Sequence, residues 1–311
     1  KVLHRDRALV RMIGLDRKGR PEGVIVEVLE RANSRVVGRV LIEHGIVVVV
    51  PENKRISQDI LVTPDKKLKA RDGQVVVVEI IEQPSRHAQP IGRIVEILGN
   101  YADPGMEIEI ALRKHDLPFE FSAQSLKETK NLPERVREEE WAGRRDLRDL
   151  PLVTIDGETA KDFDDAVFAE KKGRGWRLVV AIADVSHYVW PGSALDREAM
   201  ERGNSVYFPR RVIPMLPEKL SNGLCSLNPE VDRLAMVCDM DINVSGEIKA
   251  YTFYPAVFRS QARLTYTQVW NWLSAAEQPD SEQHRSLLPR LEALYALFKI
   301  LLKARHKRGA I

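Results

Sequence analysis

Cysteine is almost missing, with only Cys225 and Cys238 in the whole chain. They form no CxxC pair and no histidine spacing accompanies them, which leaves a disulfide framework or a zinc role without support. Two reduced, buried thiols suit a cytoplasmic protein, and that localisation is the expectation. Long apolar runs are lacking as well. Ile46–Val50 and Val75–Val78 are strand-sized, far short of the ~20 residues needed to cross a bilayer, so no membrane partner is expected. Lys1–Asp6 has neither the apolar core of a secretory signal nor an initiator Met. The chain is therefore expected to start inside a longer protein. No internal repeat or low-complexity tract is evident.

A strong net charge is also absent: the formal balance is +3. The first forty residues nevertheless carry ten Lys/Arg against five Asp/Glu. Such an excess hints at a polyanion, because phosphate neutralisation drives nucleic-acid affinity. On charge alone, an ordinary solvated face explains it better. What is present in quantity is the mixture of a folded soluble protein, 44% hydrophobic and 30% charged over 311 residues. That length suggests two domains or a little more.

The chain divides into an all-β first part and a mixed second part. Val- and Ile-rich runs at Val36–Ile42, Ile46–Val50, Ile60–Val62, Gln74–Ile81 and Ile91–Leu98 are separated by Gly- and Pro-containing turns. Five such strands match the length of one OB barrel, placed at 31–100. Two earlier strands, Arg7–Met12 and Gly23–Leu29, read as the tail of a preceding barrel at 1–30. A helical connector is expected over 101–150: one helix capped by Ser122 and running through Thr129, another opened by Pro133 and running through Trp141. Alternating charges at Arg144–Asp149 read as a solvated linker. From 151 to 311 the pattern is α+β. Strands are expected at Leu152–Ile155, Ala166–Ala169, Trp176–Ala183, Leu234–Ile242 and Ile248–Phe258. A helix capped by Ser193 is stopped by Gly203. A last helix, capped by Asp280 or Ser281, carries a core stripe of Leu287, Leu291, Leu294, Phe298 and Leu301.

Between the first two of those strands lies Asp156-Gly157-Glu158-Thr159-Ala160-Lys161-Asp162-Phe163-Asp164-Asp165. If Asp156, Asp162, Asp164 and Asp165 converge, their repulsion raises their pKa values unless a cation neutralises them. Hard oxygen donors suit magnesium, or manganese in its place, rather than zinc. A calcium EF-hand fails, because position six from Asp156 lacks Gly and Val167 stands where the terminal Glu belongs. The remaining alternatives are a hard-metal site for phosphoryl chemistry and a merely solvated acidic turn; strands on both sides, with Phe163 inside, favour the former.

Further on, Tyr207-Phe208-Pro209-Arg210-Arg211 could stack a base while its arginines pair with phosphates. A buried Tyr–Phe at a strand end is the competing reading. At this point residues 152–167 (LVTIDGETAKDFDDAV), 205–240 (SVYFPRRVIPMLPEKLSNGLCSLNPEVDRLAMVCDM) and 4–20 (HRDRALVRMIGLDRKGR) matter together. They resemble the ribonuclease II (RNB) family of processive 3′-to-5′ exoribonucleases, and the resemblance extends over essentially the whole chain. It implies cold-shock OB domains followed by an RNB catalytic domain whose active site lies at the bottom of an RNA channel.

By matching position, the resemblance makes Asp156, Asp162, Asp164 and Asp165 the catalytic magnesium-binding aspartates. It makes Tyr207, located by Pro214–Pro217, the residue that stacks on the 3′-terminal base, with Arg210 and Arg211 beside it on the substrate side. The expected activity is magnesium-dependent hydrolysis of single-stranded RNA from the 3′ end, releasing nucleoside 5′-monophosphates. The chain stops before the family's downstream glutamate, catalytic arginine and second base-clamping aromatic. It therefore looks like a portion of such an enzyme, and a single-stranded nucleic-acid-binding module without catalysis is the alternative. DNA hydrolysis by the same metal chemistry is a weaker one. The sequence names no protein partner.

Overall fold

The structure, a computed structural model, describes residues 1–310 and divides into two units, 1–119 and 120 onward. In the first, β1 (Arg7–Leu15) and β2 (Pro21–Glu30) form an antiparallel hairpin around the Asp16–Arg20 turn, where Asp16 accepts from the Lys18 and Arg20 amides. These strands pair only with each other among the described residues, leaving Leu9, Met12, Ile13, Val26 and Leu29 exposed.

The next five strands are β3 (Arg35–Glu43), β4 (Ile46–Pro51), β5 (Ile60–Val62), β6 (Gln74–Glu82) and β7 (Ile91–Asn100). They close into the expected barrel in the order β3-β4-β5-β7-β6. Period-two alternation sends Val40, Val49, Ile60, Val76 and Val78 to its fully buried interior. Each contributes ~1.5–3 kcal/mol by leaving water. Two glycines permit the closure: a Cβ at Gly38 would lie 2.5 Å from the Val50 carbonyl oxygen, and one at Gly92 would lie 2.9 Å from that of Glu79. Against the outside of β3 and β6 packs α1 (Met106–Lys114), with Met106 set among Val37, Val75 and Val77.

The second unit begins with α2 (Ala123–Asn131), whose cap is the expected Ser122, accepting from the Ser125 amide. The helix expected after Pro133 does not form; only a single 3₁₀ turn, Glu138–Trp141, is present. Leu132 sits in an extended conformation before Pro133, as proline demands of its predecessor, and no helical segment restarts until that turn. Arg144–Asp149 is likewise not a free linker. Within it β8 (Arg145–Asp146) adds a parallel edge to the main sheet, Leu147 packs on the core, and Arg144 pairs with Asp184 at 2.7 Å.

The remaining elements are β9 (Thr154–Asp156), β10 (Asp165–Lys172), β11 (Gly175–Ala183), α3 (Ala194–Arg202), β12 (Val206–Phe208) and β13 (Arg211–Ile213). After these come β14 (Asp232–Ile242), β15 (Ile248–Arg259), β16 (Arg263–Thr265), α4 (Tyr266–Leu273) and α5 (Glu282–Lys307). The main sheet runs β10-β11-β14-β15-β8, antiparallel except at its β8 edge. One face buries Phe168, Val179, Val237 and Phe258, and Leu220 and Leu227 belong to the same core. Ser281 caps α5, as one of the two residues expected, and Leu287 and Leu291 are buried. Farther along, the stripe rotates. Leu297 rather than Phe298 enters the core, and Phe298 stays exposed, stacked on Tyr295. The 3.6-residue repeat drifts around the helix, so an i+4 count continued from Leu294 leaves the buried face. No described helix is long and apolar enough to cross a membrane.

Candidate active site

The acidic loop is pinned where it leaves and re-enters the sheet. Val153 and Val167 exchange backbone hydrogen bonds of 3.1 and 2.9 Å, closing its neck. β9 runs parallel to β16, with Asp156 opposite Thr265, and the Thr154 amide donates to the Ala262 carbonyl at 3.0 Å. Phe163, the apolar residue among the carboxylates, is 2% exposed and anchors the middle. Its amide donates to Ser226 Oγ at 3.2 Å, and its carbonyl accepts from the Leu227 amide at 2.7 Å. Ser226 Oγ donates in turn to the Lys161 carbonyl, while buried Arg233 donates from Nε to the Ser226 carbonyl at 2.7 Å. Arg263 covers the outer side, its guanidinium 4.1 Å from the Phe163 ring centre and bonded to the Ala160 carbonyl at 2.6 Å.

So held, the four carboxylates act on one another. Burial, followed by the charges of Asp162, Asp165 and Asp156, pushes the Asp164 carboxyl up to about 6. Burial and then the charge of Asp156 raise Asp165. No Lys or Arg forms an ion pair with any of the four among the described residues, so the chain itself leaves this negative charge uncompensated. Oxygen donors with unbalanced charge fit a hard divalent cation. The side chains are not already closed into a ligand cage: among the described residues no three His, Cys, Asp or Glu groups draw together tightly enough to grip an ion.

Two exposed tyrosines flank the carboxylates. Tyr207, on the β12–β13 hairpin, is 66% exposed and donates its hydroxyl to Asp162 Oδ2 at 3.2 Å. Burial and then the charge of Asp162 raise its pKa. The competing reading of Tyr207 as a buried residue at a strand end therefore fails, although Phe208 is half-buried. Arg210 occupies the exposed hairpin turn, and Arg211 lies opposite Phe208 in the register. Of this hairpin, Tyr207 is the residue seen to reach the aspartates.

Tyr266 also feels the carboxylates: it is 62% exposed, and its pKa is raised by burial and then by Asp156 and Asp165. Sequence reasoning missed this residue, together with Arg263 and Ser226. The one signal available was the Thr265–Gln268 capping box that starts α4 beside Asp156. His187 and Tyr188, which follow β11, belong to structural support. His187 Nε2 meets Glu140 at 2.9 Å, and Tyr188 is buried in the core.

Comparison with known proteins matches the chain to a family. Residues 144–311 match the RNB domain and residues 49–122 the Cold shock domain. The chain is 54% identical over 310 residues to Ribonuclease R of Escherichia coli (strain K12), covering 99% of this chain and 38% of that protein. Against Ribonuclease R of Acidithiobacillus ferrooxidans it is 52% identical, with 100% and 71% covered. The solved RNase R of Mycoplasma genitalium superposes in its apo form with a TM-score of 0.90 at 31% identity, covering 99% of this chain and 48% of that one. The same protein in complex with ribose methylated single-stranded RNA gives 0.88. The chain thus spans less than half the length of the Escherichia coli relative. The expected cold-shock barrel and RNB-type α+β domain are both present, and the chain belongs to the RNB family, among the ribonucleases R.

Proposed function

We propose that the protein of which this chain forms part is a magnesium-dependent 3′-to-5′ exoribonuclease that hydrolyses single-stranded RNA to nucleoside 5′-monophosphates in the cytoplasm. The observation that carries this reading is that Asp156, Asp162, Asp164 and Asp165 share one pinned loop without an ion-paired Lys or Arg among the described residues, and that burial, then the charges of Asp162, Asp165 and Asp156, push Asp164 up to about 6. These residues would hold the cation, and magnesium or manganese bound there supplies an activated water and neutralises charge growing on the phosphate.

The remaining roles fall to the chain's own groups. Exposed Tyr207 offers its ring to the terminal base while its hydroxyl stays on Asp162. The Ser226, Arg233 and Arg263 contacts fix the loop, so that little reorganisation is needed when charge is added or removed. Arg210, exposed beside Tyr207, suits a backbone phosphate, as does Arg211. RNA recognition is supported by the Mycoplasma genitalium relative in complex with single-stranded RNA.

The open arrangement of the carboxylates favours one second reading, a strand-binding module that does not cleave. Incubating the 311-residue chain with a 5′-labelled oligoribonucleotide, with magnesium and with EDTA, separates the two. Stepwise shortening only with magnesium supports the nuclease; retention of intact RNA in both arms supports the module. A DNA strand of the same sequence serves as the third arm, since selectivity must rest on the 2′-hydroxyl.

A further inference from the structure

The first unit contains a cavity of about 460 Å³ that no part of the proposed nuclease chemistry uses. Its wall takes His4 and Arg5 from the segment before β1, Arg35 from the start of β3, Arg55 from the β4–β5 connection, and Arg113 and Lys114 from the end of α1. Glu52 and Asp116 are the carboxylates among its lining residues. Arg113 is already satisfied, by Glu96 through two bonds and by Glu109 at 2.5 Å. The other cations are not. Arg5, Arg35 and Lys114 form no ion pair among the described residues, and the Arg55 guanidinium meets only His4 Nε2, at 3.4 Å. Four uncommitted cations thus face two carboxylates around one nucleotide-sized hollow.

The wall is fixed before any ligand arrives. Buried Asp6 accepts from the Leu3 amide, the Ala32 amide and Arg31, each at 2.9 Å, and the Asn33 side chain donates to the His4 carbonyl at 2.7 Å. Arg5 itself is held in the left-handed region at φ 72°, a conformation that costs a non-glycine residue free energy and that its surroundings must enforce. No Phe, Tyr or Trp lines the cavity. His4 and His115 are the rings among its lining residues, and the guanidinium forks match phosphate oxygens.

We propose that this cavity binds a phosphate group through Arg5, Arg35, Arg55 and Lys114, without reading a base. The phosphate belongs either to the backbone of a nucleic-acid strand or to a small free phosphate anion. The proposal does not depend on the nuclease reading.

The test compares the wild-type chain with R35Q/R55Q, both in EDTA. Calorimetry with inorganic pyrophosphate gives one readout. The salt dependence of affinity for a single-stranded RNA oligonucleotide gives the other. R35Q/R55Q is expected to lose at least one of them. A loss of roughly tenfold in pyrophosphate affinity with an unchanged RNA salt slope identifies a free anion. A slope shallower by about 1 to 1.5 identifies strand phosphates. If R35Q/R55Q folds, by its melting profile, and matches wild type in both measurements, the proposal is overturned. Should the double variant not fold, Lys114→Gln, an exposed position, replaces it under the same criteria with a smaller expected loss.

Discussion

Replacing Asp164 by Asn should stabilise the metal-free protein while weakening its hold on magnesium. In the folded state burial and three neighbouring carboxylates raise this group from 3.8 to about 6. The ionised form is therefore penalised on folding. Between these two values the folded state binds more protons than the unfolded one, so stability falls as pH rises through that window and stays reduced above it. A shift of about two units corresponds to ~3 kcal/mol. The Asp164 side chain retains solvent contact, however, and screening reduces the effect to about 1–2 kcal/mol. Asn keeps the shape and removes the charge. In EDTA at pH 8, D164N should melt about 2–6 °C above wild type, with a shallower decline between pH 4 and 6. Added magnesium should raise the wild-type melting temperature through binding to the folded state, and raise that of D164N much less. Calorimetric scans over pH 4–8, with and without magnesium, measure all of this. A D164N variant that melts below wild type in EDTA at pH 8, or gains as much from magnesium, would refute the idea of a repulsive cluster awaiting a cation.

Four further predictions follow from the contacts. Ser226→Ala leaves the buried Phe163 amide without its acceptor and should cost about 1–3 kcal/mol, lowering both melting temperature and magnesium affinity, measured by thermal scan and titration. Arg144→Ala strands the buried Asp184 carboxylate and should cost ~3–5 kcal/mol in chemical denaturation. Burial pushes Asp184 up, but hydrogen bonds from Ser186 and Arg144 outweigh this and hold it below its ordinary value. Its stabilisation is thus present above the unfolded pKa and lost as pH falls through the folded one, and Ser186→Ala should move acid unfolding to higher pH. Tyr207→Ala should weaken binding of an RNA 3′ end by about 1–3 kcal/mol, whereas Tyr207→Phe, which keeps the ring, should bind nearly as wild type in fluorescence titration.

The barrel was legible because its evidence is local: period-two valines between glycine turns declare both strand and inward face. The four aspartates were legible for the same reason, since they lie within ten residues bounded by strands. What holds them was not. Ser226 and Arg263 reach the loop from 63 and 103 residues away, and neither residue type announces such a contact. α1 escaped notice because its N-cap is Gly105 in the left-handed region, with no side-chain cap to mark a start. The charged stretch around Arg144 misled in the opposite direction. Alternating charges suggested solvent, yet the first arginine turns inward to a carboxylate 40 positions later.

The parallel pairing of β9 with β16 has a consequence for how such a protein is made. Asp156 takes its place only when Thr265 lies beside it, and Thr154 is bonded to a carbonyl 108 residues downstream. On a ribosome adding roughly 5–20 residues per second, the aspartates emerge about 5–20 s before the strand that fixes the first of them. Throughout that interval the nascent chain carries every acidic residue of the loop but lacks the strand that seats it. On the nuclease reading, a hydrolase of RNA is thereby translated from RNA with its hydrolytic loop still unassembled.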